Sequence, residues 1–100
     1  MTTLHDITED GVRTIVTDPG NGSRYIIVIS KLPARVCQLL GSEEGSFLVA
    51  IPNHKSRTLL FTPKNGVDPV YLREKLDLSW GDANVLTLIL NSLSWGDPQS

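Results

Sequence analysis

The run Val12-Arg13-Thr14-Ile15-Val16-Thr17-Asp18-Pro19-Gly20-Asn21-Gly22-Ser23-Arg24-Tyr25-Ile26-Ile27-Val28-Ile29-Ser30 decides how this chain folds. Its first third is rich in β-branched residues, which favour strands because their χ1 freedom is already restricted. Asp18-Pro19-Gly20-Asn21-Gly22 is turn chemistry, since proline presets its own φ and the glycines accept positive φ. Tyr25 to Ile29 resumes as an apolar run. The segment therefore predicts a β-hairpin. Its second strand is apolar on both faces, which predicts a central position in a sheet covered on both sides.

The pattern then changes. Pro33-Ala34-Arg35-Val36-Cys37-Gln38-Leu39-Leu40-Gly41 predicts a short helix, with Pro33 at its start and Gly41 after its last turn. Val36, Leu39 and Leu40 share a face by the i, i+3, i+4 rule. Phe47-Leu48-Val49-Ala50-Ile51 and Arg57-Thr58-Leu59-Leu60-Phe61-Thr62 flank Pro52-Asn53-His54-Lys55 and predict a second hairpin. Asp68 and Pro69 suit the N-cap and first residue of a helix over 69–77. Ser79-Trp80-Gly81-Asp82 has the form of a capping box and predicts a helix from about 80 to 93. For residues 84–91 a fifth strand is the rival, and length together with the cap favours the helix. Residues 1–10 show no periodicity and read as a loose arm or short leading element. Gly96 and Pro98 read as terminators, leaving 96–100 as a tail.

The expected architecture is a single α+β domain over residues 1–100, of order ββαββαα. It has a four-stranded, mostly antiparallel sheet from two β-hairpins, a short intervening helix and two C-terminal helices. The crossover through residues 32–46 leaves open whether the two middle strands run parallel. The segment Leu78-Ser79-Trp80-Gly81-Asp82 recurs as Leu93-Ser94-Trp95-Gly96-Asp97. Two copies at so short a spacing make no repeat architecture.

Composition bounds the function. The 100 residues hold 9 Lys and Arg against 11 Asp and Glu, and 40% are apolar. That is enough for one core without disulfides or metal. The single cysteine, Cys37, can form no intramolecular disulfide, which fits a reducing, cytoplasmic setting. The first residues carry no basic and apolar leader, so no secretory signal is expected. The longest nearly apolar run, Val85 to Leu90, falls far short of the roughly 20 residues of a membrane span. The charge is layered, with a mildly basic stretch over 11–75 between two acidic ends. That surplus is sparser than the stripe a nucleic-acid domain needs, so nucleic acid is an unlikely partner.

No set of residues has the spacing of a catalytic or metal site. His5, His54 and Cys37 form no ligand pair at metal-site spacing, and neither metal nor other cofactor is expected. Cys37 lies among apolar helical neighbours, where a cysteine usually acts as a small filler. Gly20-Asn21-Gly22 joins two strands and matches no phosphate-loop pattern. The densest polar feature is His54-Lys55-Ser56-Arg57, where His54, Lys55 and Arg57 could hold an anion. Solvated hairpin tips are also commonly charged without any ligand. Trp95, with Leu93 and Leu90, is the candidate interface, because tryptophan is enriched at hot spots and chain ends order only when docked.

The sequence thus points away from an enzyme and towards a small interaction or regulatory module. Such a module would self-associate as a homodimer or bind a protein partner, since its apolar faces outnumber the helices available to cover them. An anionic-ligand or nucleic-acid binder acting through 54–57 is the alternative. A small oligomeric enzyme with an unrecognised site is the other.

Overall fold

A computed structural model describes residues 2–20, 22 and 24–95. Five strands follow the order β1 (Thr2–Glu9), β2 (Val12–Asp18), β3 (Tyr25–Lys31), β4 (Phe47–Ile51) and β5 (Lys55–Phe61). Helix α1 (Ala34–Leu40) lies between β3 and β4, and α2 (Pro69–Leu76) and α3 (Trp80–Ser92) close the chain. The strands form one sheet in sequence order, every neighbouring pair antiparallel. This meander places β3 at the centre, as its two-sided apolar pattern predicts, but the described helices cover only one of its two faces.

The expected four-stranded sheet is corrected to five strands. The segment read as a loose arm supplies β1, paired with β2 from Thr2↔Asp18 to Glu9↔Val12. The cause is local. Asp10 and Gly11 have φ of 53° and 79°, the signs that a two-residue hairpin turn of the primed type requires. The turn folds β1 back onto β2 even though β1 has no regular apolar alternation. Between Thr3 and His5 the register slips by one, leaving Leu4 as a bulge. The middle strands β3 and β4 pair antiparallel, so the α1 crossover returns the chain. Residues 84–91 are helical, within α3. The proposed tail at 96–100 lies outside the described residues.

Caps bound the two long helices where the sequence placed them. The Asp68 side chain accepts from Tyr71 N at 2.9 Å, with Pro69 in the first turn. The Ser79 hydroxyl accepts from Asp82 N at 3.2 Å. Each satisfies a donor that a helix start otherwise leaves unpaired. Helix α1 ends on Gly41 at φ 69°. Its expected apolar face is not buried: Cys37 is enclosed, while Leu39 is 79% exposed and Leu40 56%.

Register sorts the strand residues onto two faces. One face carries Ile15, Thr17, Tyr25, Ile27, Ile29, Val49, Ile51, Leu59 and Phe61, all buried. Leu72 and Leu76 of α2, Leu78, and Ala83, Leu86, Ile89 and Leu90 of α3 pack onto its apolar residues as one core. No described residue of α1 and none on the other sheet face belongs to that core. No helix among the described residues is long and apolar enough to cross a membrane.

Candidate interaction surface

The second sheet face carries apolar groups that no helix among the described residues covers. Val16, Ile26, Val28, Leu48, Ala50 and Leu60 alternate with the buried set and are half-buried. The register sets Val16 beside Ile26, Val28 beside Ala50, and Leu48 beside Leu60. Towards the β1 edge the same face continues through Val12, 37% exposed, and Ile7, 51% exposed. Antiparallel sheets with one wet face usually make that face polar. Thr14, Ser30 and Thr58 interrupt the aliphatic surface, and on β1 the register adds His5 and Glu9 either side of Ile7.

The two sheet edges differ. Along β5 lies α2, and Tyr71 Oη donates to the Leu60 carbonyl at 3.2 Å. The other edge is β1, which packs on β2 and on no other described element. An unpaired edge presents a row of N–H and C=O groups able to pair with another strand. Arg13 fastens β1 from the helix-covered face. Its Nε and Nη2 donate to the two Asp6 carboxylate oxygens at 2.8 and 2.7 Å, and Nη1 donates to the Ser94 carbonyl. That fork holds the Asp6 carboxyl below the usual carboxylate range and raises Arg13, the hydrogen bonds being the largest cause of each.

The anion candidate spans the β4–β5 turn and the start of β5. His54 is half-buried, and its ring stacks on Tyr25 at 4.6 Å between centroids. Arg57 is exposed on β5, and the Lys55 side chain lies outside the described residues. Asn53 ties this turn to the start of β3, accepting from Ile26 N at 2.9 Å and donating to the Arg24 carbonyl at 2.6 Å. Arg24 therefore sits at the His54 end of the sheet, whereas Lys31 and Arg35 lie towards the other. Tyr25, fully buried, donates through Oη to Asp82 Oδ1. The capping-box carboxylate is thus turned into the protein, and the Tyr25–His54–Asp82 group anchors the start of α3. Beside it the buried Thr17 Oγ1 and His54 Nδ1 have no protein hydrogen-bond partner.

The residues expected at an interface, Trp95, Leu93 and Leu90, pack on the protomer's own core. Leu90 is fully buried in the core, and Leu93 and Trp95 pack against it. The Trp95 ring lies 4.2 Å from that of Phe61 and 5.0 Å from that of Phe47, and its Nε1 donates to the Leu90 carbonyl at 2.9 Å. An open cleft of about 640 Å³ adjoins it, lined by Lys31, Glu43, Glu44, Lys64 and Trp95 among others. Its charges are mixed, and Lys64 lies 3.9 Å from Glu43. Among the described residues no group of three His, Cys, Asp or Glu is placed to hold a metal ion.

The sequence reading missed Ile7, Val12 and the β1 edge. The signal that finds them is Glu9-Asp10-Gly11-Val12, since Asp-Gly between strand formers is a strong short-range hairpin marker. Compared with family models, with curated proteins and with solved structures, the chain finds no match in any of the three.

Proposed function

We propose that this protein is a small non-enzymatic interaction module that works as a self-associating unit, in its simplest form a homodimer. One observation carries the reading. The sheet is covered by helices on one face and at one edge, while the other face, aliphatic from Leu60 to Ile7, and the β1 edge have no described cover. Contiguous apolar surface on a soluble domain commonly marks an interaction site, because burying it in a partner removes it from water. Of the polar groups that converge, Tyr25 donates to Asp82 and stacks on His54, a structural linkage that favours this reading over an enzyme. The mixed signs of charge in the cleft beside Trp95 give that cleft no preference for an anion. The buried free thiol of Cys37 suits the cytoplasm as the proposed setting.

The test is the mass in solution, measured by sedimentation equilibrium from micromolar to millimolar protein. The expected result is a dimer that dissociates on dilution. A protein that stays at the protomer mass at the highest concentration overturns the reading.

A further inference from the structure

We infer that two copies join edge to edge through β1, antiparallel, with the twofold axis passing through Ile7. This rests on the self-association proposed above and specifies its geometry. Tyr71 of α2 bonds the β5 edge at the Leu60 carbonyl, while among the described residues β1 packs on β2 alone, which makes β1 the edge for another strand. It carries neither lysine nor proline, two residues that commonly block such edges. Its regular part runs from His5, after the Leu4 bulge, to Glu9, before the Asp10-Gly11 turn. The midpoint of that stretch is Ile7.

Pairing geometry narrows the register. In an antiparallel ladder, directly opposed residues are both hydrogen-bonded or both not. A symmetric pair of identical strands must therefore place its axis on a residue, not between two. Centred on Asp6, the pairing opposes two like charges. Centred on Thr8, it opposes Asp6 to Asp10 and runs into the turn. Centred on His5, it draws the bulge into the ladder. Centred on Ile7, it opposes Ile7 to Ile7, His5 to Glu9 and Asp6 to Thr8. That is an apolar pair at the axis, a complementary pair on the same face, and no like-charge contact. The residue at the axis is the large aliphatic side chain of β1 on the second face, 51% exposed in the protomer. Joined in this way, the two second faces lie side by side as one surface across a ten-stranded sheet.

The experiment uses the full chain and two substitutions at one exposed position, Ile7→Lys and Ile7→Glu. Circular dichroism and melting curves matched to the unsubstituted protein exclude loss of fold. Each variant alone sets like charges against each other at the axis and loses the apolar pair, so its dimer dissociation constant should rise roughly tenfold or more. An equimolar mixture should recover the dimer as a heterodimer, because only an axis through position 7 sets lysine against glutamate. Dimerisation untouched by either variant, or no recovery on mixing, overturns the β1 junction. A dimer lost in Val28→Asp but kept in both Ile7 variants does so too, and leaves self-association through the sheet face standing. A protomer mass for the unsubstituted protein removes both.

Discussion

Replacing Trp95 with alanine separates an interface tryptophan from one that holds its own fold. In the structure the indole contacts the Phe61 and Phe47 rings and donates to the Leu90 carbonyl. Each aromatic contact contributes about 1 kcal/mol beyond burial, and the hydrogen bond about 1 kcal/mol. The total of about 3 kcal/mol lies at the low end of the range for removing a packed aromatic, as suits a half-buried ring. For a domain of this size that lowers the melting temperature by roughly 12–24 °C. Urea unfolding followed by circular dichroism, at a concentration below dimerisation, measures it. Trp95→Phe keeps most of the ring contact and loses the N–H donor, so it should cost about 1 kcal/mol. A Trp95→Ala protein within about 0.5 kcal/mol of the parent refutes the packing argument. If such a protein also lost the dimer, Trp95 would be an interface residue after all.

Tyr25→Phe leaves the Asp82 carboxylate without its buried donor and should cost about 1–3 kcal/mol in the same urea titration, with Asp82→Asn milder because its amide oxygen still accepts. Gly11→Ala puts a side chain at φ 79° and should destabilise by roughly 1–2 kcal/mol, detected as faster amide exchange in β1 than in β3. Asp6, held below its ordinary pKa by Arg13, adds stability that is present above its unfolded-state pKa and disappears as pH falls through the lower folded value. The pair is partly solvated, so the effect is at most about 1 kcal/mol. The acid limb of a stability–pH curve should therefore flatten slightly in Asp6→Asn. An unchanged limb contradicts the assignment.

The legible parts were those with local causes. Asp68-Pro69 and Ser79 through Asp82 marked helix starts, because capping involves only neighbouring residues. The two-sided apolar run Tyr25 to Ile29 marked a central strand, because a strand's environment is written in its alternation. β1 escaped because residues 3–9 are exposed at an edge, where burial imposes no apolar period. Its place depends on the Asp10-Gly11 turn and the Arg13 fork. The candidate sites were less legible. His54 looked like part of a solvated tip because its sequence neighbours are charged, yet its ring packs on Tyr25, 29 positions earlier.

By itself, the sequence determined the α+β class, the central hairpin, the caps and the surplus of apolar faces over helices. Tertiary structure alone decided which face the helices cover, which edge stays open, and that Trp95 turns inward. The physical reason is range. Propensities, caps and turns act over three or four residues, whereas covering a face is settled by competition among distant elements for the same apolar surface. Helices α2 and α3 and Trp95 occupy one side of the sheet, and the composition that reads as one self-sufficient core leaves an aliphatic face and the β1 edge beyond the reach of its own helices.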